Sequence, residues 1–120
     1  MYWFEEPIAP EDYDGYKELK TNLKINITAG EAEFTRWGWN HLLKNRCIDI
    51  AQPEVCGLGG ISEYLKILAL AHTNFVPVVN HVWGSVLSIA VNLHLLTAMP
   101  DMPGGLFPCK SMFPYWKILD

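Results

Sequence analysis

The sequence has little positive charge and few cysteines. Its 120 residues include 9 Lys and Arg against 13 Asp and Glu, which gives a net charge of −4. Nucleic-acid binding normally needs a basic face, so this balance argues against a nucleic-acid partner. The three cysteines, Cys47, Cys56 and Cys109, fit no zinc-ligand spacing. We interpret them as reduced thiols of a cytoplasmic protein.

Charged residues are absent between positions 75 and 100, a stretch long enough to cross a bilayer. The stretch contains Pro77, Asn80, His81, Asn92 and His94, and no basic cluster flanks it. Polar side chains are costly in lipid, so we interpret the stretch as a buried strand followed by a buried helix. We expect no membrane partner. The N-terminus also lacks the basic region of a signal peptide.

Short apolar runs alternate with helix-like segments along the whole chain. Strands are predicted over residues 2–6, 25–28, 48–51 and 76–79, and helices from about residue 10 to 23 and over 34–43, 62–72 and 85–99. The tail over 100–108 is predicted to be a loop, and 111–115 a last strand. This alternation is typical of βαβ units and a parallel sheet, and so of the α/β class. The sequence contains no linker-like segment, so we predict no domain boundary within residues 1–120.

One ionisable residue follows each predicted strand. Glu5, Glu31, Glu54 and His81 are separated by 26, 23 and 27 residues, about one strand-and-helix unit each. The carboxyl ends of parallel strands meet at one edge, where β/α barrels and open α/β sheets build their active sites. Considered alone, Glu5 or Glu6 is more typical of a solvent-exposed or helix-capping acid. His81 alone is more typical of a buried histidine whose hydrogen bonds are satisfied. Because the four residues recur at one spacing and are expected at one edge of the sheet, together they favour an active site.

Four segments around these residues resemble one enzyme family. WFEEP (residues 3–7), AGEAE (29–33), DIAQPEVCGLGGISE (49–63) and NHVWGS (80–85) are similar to the mandelate racemase and muconate lactonizing enzyme family of the enolase superfamily. They occur in the family's order with family-like spacing. The resemblance implies a partial (β/α) TIM-type barrel, about strands four to eight of a (β/α)7β barrel.

The resemblance also implies roles for individual residues. Glu5 and Glu31 would be two of three carboxylate ligands to Mg²⁺, and oxygen ligands suit this hard cation. His81 would be the general acid/base, since histidine exchanges protons near neutral pH. Glu54 stands where the family usually has an Asp that orients this histidine. Trp83 follows His81 closely enough to line a substrate pocket.

The family's shared step is removal of the proton α to a carboxylate, which produces an enediolate that a divalent cation stabilises. The resemblance therefore implies a small-molecule carboxylate substrate. The NHVWG segment favours an acid-sugar dehydratase over muconate cycloisomerases, and a racemase or epimerase is the enzymatic alternative.

Three departures from the family's pattern limit this expectation. The third metal ligand, a lysine base and the N-terminal capping domain would all lie before Met1. Glu54 is one methylene longer than the usual Asp, and Pro114 stands near the place where the eighth strand often carries a Glu. We therefore expect a fragment that is catalytically silent alone, and that forms a homo-oligomer or is complemented by an N-terminal half. The competing hypothesis is a non-catalytic β/α interaction domain.

Overall fold

The computed structural model describes residues 1–99 of the chain. Strands and helices alternate along these residues, as the sequence predicts. The strands are β1 (Trp3–Glu5), β2 (Asn26–Ala29) and β3 (Ile50–Ala51), and the helices are α1 (Tyr13–Asn22), α2 (Thr35–Lys44), α3 (Ile61–Thr73) and α4 (Val86–Ala98). The loop predicted over 100–108, the strand predicted over 111–115 and Pro114 lie outside the described residues.

The three strands form one parallel sheet in the order β1-β2-β3. Glu5 at the end of β1 pairs with Thr28, and Ala29 at the end of β2 pairs with Ala51 at the end of β3. Parallel strands joined by helical crossovers bring their carboxyl ends to the same edge of the sheet. The residues that follow each strand are therefore neighbours in space, and the prediction of a parallel α/β sheet is confirmed.

The continuous fourth strand predicted over 76–79 is wrong. Two single parallel bridges extend the sheet at this place, Ala51 with Val78 and Glu54 with His81. Prolines explain the interruption, because a proline has no N–H to donate to a neighbouring strand. Pro53 and Pro77 lie on the two facing segments. The backbone still runs beside β3, and His81 therefore reaches the same edge as the residues after β1, β2 and β3.

The helices begin and end close to the predicted positions. The predicted bounds of α2, α3 and α4 differ from the observed ones by one residue at each end. Helix α1 begins after Asp12, whose side chain accepts a hydrogen bond from the backbone N–H of Gly15 at 2.9 Å. Arg36 at the start of α2 holds Glu63 near the start of α3 through two side-chain hydrogen bonds of 2.8 Å. This ion pair joins the two helices beside the sheet.

One hydrophobic core lies between the sheet and the helices. Its buried members include Tyr16, Ile27, Trp39, Leu42, Ile48, Val55, Leu58, Tyr64, Ile67 and Val78. Trp39 is completely buried and closes over the backbone at Gly30, which follows β2. Burying a large apolar side chain contributes about 1.5–3 kcal/mol. The core therefore fixes the sheet edge that carries the ionisable residues.

The uncharged stretch between residues 75 and 100 divides into two parts within the described chain. Its first part runs beside β3, and α4 begins at Val86 and has 13 residues, whereas a membrane-spanning helix needs about 20. Among residues 1–99, no helix is both long enough and apolar enough to cross a bilayer.

Candidate active site

The structure brings all four of the predicted site residues to the carboxyl edge of the sheet. Glu5 is the last residue of β1, Glu31 follows β2, and Glu54 and His81 pair across the bridge beyond β3. Helical crossovers separate them in sequence, and the parallel sheet reunites them. The contacts of each side chain determine which chemistry this edge of the sheet can support.

Glu31, His81 and Glu54 form a row in which the imidazole lies between two carboxylates. Nε2 of His81 lies 2.6 Å from Oε2 of Glu31, and Nδ1 lies 3.1 Å from Oε2 of Glu54. The side chain of Glu31 is 42% exposed, that of His81 19% and that of Glu54 10%. The row therefore runs from the interior, at Glu54, to solvent, at Glu31. Each ring nitrogen of His81 thus faces a carboxylate oxygen.

Glu54 is held in place by the backbone of two neighbouring segments. The N–H of Cys56 donates to Oε1 at 3.0 Å, and the N–H of Trp83 donates to Oε2 at 2.9 Å. Both carboxylate oxygens are thus occupied, and Oε2 also faces Nδ1 of His81. A carboxylate fixed in this way holds Nδ1 as the donor and turns Nε2 toward Glu31.

Glu5 completes a group of three potential cation ligands. One ligand atom from each of Glu5, Glu31 and His81 lies within 4.8 Å of the others. Trp3 Nε1 donates to Oε2 of Glu5 at 3.3 Å. Within residues 1–99, no Lys or Arg forms an ion pair with Glu5, Glu31 or Glu54. Among the described residues, the basic partner of the carboxylates at this edge is therefore His81 rather than a Lys or Arg.

Mg²⁺ fits this donor set. It prefers carboxylate oxygens and usually keeps several waters, binding through one or two protein carboxylates. Glu5 and Glu31 are both exposed enough to leave room for water, and they face one small space. The residues present are therefore suited to hold the cation that the resemblance implies.

Glu6 has a structural place that the sequence did not reveal. It adopts a left-handed backbone with φ of 42°, which is rare for a residue other than glycine. Gly30 N–H donates to Oε1 of Glu6 at 3.0 Å, which ties the end of β1 to the end of β2. Burial raises the pKa of the Glu6 carboxyl, and the nearby charges of Glu31 and Glu5 add to the effect. Glu6 is thus half-buried and hydrogen-bonded rather than a solvated acid. In the sequence, the only indication of this role was the pair of glutamates that precedes Pro7.

Trp83 contributes to the site through two different parts. Its backbone N–H holds Glu54, while the residue as a whole is 79% exposed. The residue lines an open cavity of about 400 Å³ together with Glu31, Glu54 and His81. The ring therefore lies where a ligand beside the carboxylates would meet it.

A buried polar network supports the segment that carries His81. The hydroxyl of Tyr64 donates to Oδ1 of Asn80 at 2.5 Å, and Nδ2 of Asn80 donates to Oδ1 of Asn92 at 2.7 Å. Asn92 in turn donates to the backbone oxygen of Ser88 at 3.0 Å. Asn80 directly precedes His81, so the network fixes that backbone against α3 and α4. The sequence signal was the pair of asparagines inside a stretch without charged residues.

The parallel sheet, its crossover helices and the ionisable residues at its carboxyl edge define part of a β/α barrel. The family model described as "Enolase C-terminal domain-like" matches residues 1–105. The chain belongs to this family, which confirms the resemblance found in the sequence.

Enzymes are prominent among the similar proteins. The chain is 37% identical over 113 residues to the D-galactarolactone cycloisomerase of Agrobacterium fabrum, a match that covers 94% of this chain and 30% of the relative. The 3,6-anhydro-D-galactonate cycloisomerase of Zobellia galactanivorans has a TM-score of 0.80 and 47% identity, covering 86% of this chain and 29% of that chain. The L-talarate dehydratase of Polaromonas sp. JS666, complexed with Mg and L-glucarate, has a TM-score of 0.75 and 27% identity. This match covers 86% of the present chain and 27% of the dehydratase chain. The chain thus spans about 30% of the length of the curated relative.

Proposed function

We propose that this chain forms part of a Mg²⁺-dependent active site that removes the proton α to the carboxylate of an acid sugar. The contact between His81 and Glu31 is the main support, because it brings a proton-exchanging ring within 2.6 Å of a potential cation ligand. The relatives add support, since one of the solved structures holds both Mg and L-glucarate.

Each residue has a defined part in this proposal. Glu5 and Glu31 hold the cation, which when bound stabilises the negative charge that develops on the substrate carboxylate. His81 takes the α proton or returns one, because it lines the open cavity in which a substrate would lie. Glu54 keeps the ring in place and holds the proton on Nδ1.

Dehydration is the reaction we propose first. After His81 has accepted the α proton, the protonated ring is positioned to donate it to a departing β-hydroxyl, so that water leaves and the ring is restored. The exposed ring of Trp83 covers one side of the cavity in which this exchange takes place. The residues at this edge thus suit both halves of an elimination.

Cycloisomerisation is a second candidate, and the names of two relatives favour it. The relatives that are 37% and 47% identical to the chain are both cycloisomerases of sugar-acid derivatives. In the family that the chain resembles, the shared first step is the same removal of an α proton. The two candidates therefore differ in the group that leaves or adds afterwards, and not in the roles of Glu31 and His81.

We also propose that further polypeptide completes the site. Glu5 and Glu31 supply two carboxylates among the described residues, whereas the resemblance implies three. The chain spans about 30% of the curated relative. On this proposal the 120-residue chain binds the cation but is catalytically silent until a complementing barrel segment joins it.

Calorimetric titration of Mg²⁺ into the purified chain tests the cation site. We expect saturable binding that Glu31→Gln weakens at least tenfold, because the substitution removes a charged ligand. Glu18→Gln, which makes the same change on an exposed residue of α1, is the matched control and should leave binding unchanged. Equal binding by the wild type and Glu31→Gln, or no binding at all, would refute the proposed site.

Exchange of the α proton tests the chemistry. A panel of acid sugars is incubated in D₂O with Mg²⁺ and the chain, with and without the remaining barrel segments of a relative, and followed by proton NMR. We expect exchange and turnover only in the complemented mixture, and loss of both in His81→Asn. Turnover by the chain alone would overturn the expectation of silence, and the absence of exchange in every mixture would overturn the proposed reaction.

A further inference from the structure

We propose that Nε2 of His81 is itself a metal ligand, so that Glu5, Glu31 and His81 form a three-ligand site for nitrogen-preferring ions such as Zn²⁺ and Co²⁺. This inference rests on the proposed function in one respect, namely that the two carboxylates face a cation. It adds a second kind of occupant to that site, one that engages Nε2 of His81 instead of leaving it to act as the acid/base.

The spacing of the donor atoms carries the inference. The three ligand atoms lie within 4.8 Å of one another, and Nε2 of His81 already lies 2.6 Å from Oε2 of Glu31. Zn²⁺ binds imidazole nitrogen and carboxylate oxygen at about 2.0–2.2 Å. Ligand atoms around such an ion are then about 3–4 Å apart, which small side-chain movements at the exposed Glu5 and Glu31 provide.

Glu54 prepares the imidazole for this role. A metal-bound histidine almost always donates its other ring N–H to a carboxylate or carbonyl, which fixes the ring's tautomer and orientation. Glu54 Oε2 lies 3.1 Å from Nδ1 of His81, and backbone N–H groups of Cys56 and Trp83 hold the carboxylate. The arrangement is therefore a carboxylate–histidine pair whose free nitrogen faces two further carboxylates.

The nitrogen ligand, rather than the charge, selects the ion class. Two carboxylates and a neutral imidazole offset the charge of any divalent ion, Mg²⁺ included, and in residues 1–99 no Lys or Arg pairs with Glu5 or Glu31. Imidazole suits Zn²⁺ and other transition ions, whereas Mg²⁺ prefers oxygen alone. A Zn²⁺ or Co²⁺ ion would thus engage His81, and Mg²⁺ would leave it free.

The two modes of occupancy have opposite consequences for the proposed reaction. With Mg²⁺ on the carboxylates, Nε2 of His81 remains available to accept a proton. With a nitrogen-bound ion, the lone pair of Nε2 is engaged and the ring cannot act as a base. Zn²⁺ at this place is therefore an inhibitory occupant of the site.

Cobalt spectroscopy on the full 120-residue chain tests the inference. Co²⁺ is titrated into wild type, His81→Gln and Glu31→Gln, and the visible d–d bands are recorded. We expect saturable bands in the wild type, at least tenfold weaker Co²⁺ binding in His81→Gln, and Mg²⁺ binding by that variant that is no weaker than in the wild type. His94→Gln, which alters an exposed histidine of α4, should bind Co²⁺ like the wild type.

A second readout keeps the inference testable if His81→Gln does not fold. Nitrogen-15 NMR of the wild-type chain follows the Nε2 resonances of its four histidines during addition of Zn²⁺. A coordination shift confined to His81 supports the inference. A shift at the other histidines alone, or a cobalt–thiolate charge-transfer band that indicates a cysteine ligand, overturns it.

The two proposals fail in different ways. If Co²⁺ binds with the same affinity to His81→Gln and to the wild type but is weakened in Glu31→Gln, the nitrogen ligand is refuted and the carboxylate site stands. If Co²⁺ binding depends on His81 while the chain binds no Mg²⁺, the three-ligand site stands and the proposed function fails.

Discussion

Glu54 and His81 are joined twice, once through their backbones and once through their side chains. A single parallel bridge pairs the two residues beyond the end of β3, and Nδ1 of His81 lies 3.1 Å from Oε2 of Glu54. The backbone pairing fixes the separation of the two Cα atoms, so the longer glutamate side chain still reaches the ring. The extra methylene therefore does not prevent the histidine–carboxylate contact that the resemblance implies.

Replacing Glu54 with alanine tests how strongly this carboxylate supports the site. Glu54→Ala removes the acceptor of the N–H groups of Cys56 and Trp83, in two part-buried hydrogen bonds whose donor residues are exposed, so water can replace the carboxylate in part. Each lost hydrogen bond costs about 0.5–1.5 kcal/mol net, so we expect a loss of roughly 1–3 kcal/mol in the free energy of unfolding. Urea unfolding followed by circular dichroism measures it. Glu11→Ala, at an exposed position, is the control, and a loss for Glu54→Ala no larger than the control's would contradict this account.

Removing the amide of Asn80 tests the network behind His81. Asn80→Ala removes the acceptor of the Tyr64 hydroxyl and the donor to Oδ1 of Asn92, and all three residues are buried. We expect destabilisation by about 2–3 kcal/mol. Asn22→Ala is the matched control, because the Asn22 amide contacts only the backbone of Glu18 in an exposed setting. Equal unfolding midpoints for the two variants would show that the network does not stabilise the fold.

A pair of glycine substitutions separates steric overlap from backbone strain. Gly30 has φ of +125°, and an added Cβ would overlap the ring of Trp39. Gly60 has φ of +85°, and a Cβ there would meet nothing within 4 Å. Gly60 combines φ of 85° with ψ of −173°, a region that essentially only glycine adopts, so we expect Gly60→Ala to cost about 1–3 kcal/mol from strain alone. We expect Gly30→Ala to cost about 1–3 kcal/mol more than that, because overpacking adds to the strain. Thermal unfolding compares them, and the opposite order would refute the packing described around β2.

The ion pair between Arg36 and Glu63 predicts that the stability of the fold decreases as the pH falls into the acidic range. Hydrogen bonds from the Arg36 side chain and backbone lower the pKa of the Glu63 carboxyl from 4.5 to about 2. A carboxyl whose pKa is lower in the folded state stabilises the fold fully above its unfolded pKa, and this contribution is lost as pH falls toward 2. Unfolding measured between pH 5 and pH 2 should therefore show a steeper loss in the wild type than in Glu63→Gln. Identical pH profiles would contradict the pairing.

Much of the fold followed from local patterns in the sequence. Apolar runs alternating with helical periodicity predicted the parallel sheet, and the bounds of α2, α3 and α4 were predicted to within one residue. The strand over 76–79 was wrong for a reason that local pattern does not reveal. Its residues are apolar enough, but Pro53 on the facing segment and Pro77 on its own limit the hydrogen bonds that a continuous ladder requires.

The sequence indicated which ionisable residues meet at one edge of the sheet, but not all of their contacts. The spacing of Glu5, Glu31, Glu54 and His81 indicated a common edge, because a parallel sheet repeats one unit at a time. The sequence could not show that Glu6 turns inward with a left-handed backbone, or that Asn80 joins Tyr64 and Asn92. Both depend on contacts between segments far apart in the chain.

The response of His81 to Mg²⁺ tests the central claim most directly, because that claim makes Glu31 both the partner of His81 and a ligand of the cation. The ring Cε1–H signals of the four histidines are followed by carbon-13 NMR while Mg²⁺ is added to the wild-type chain. We predict a saturable shift of the His81 signal alone, as Glu31 leaves Nε2 for the cation, with His41, His72 and His94 unchanged. An unchanged His81 signal at saturating Mg²⁺, or an equal shift of all four histidines, would contradict the account.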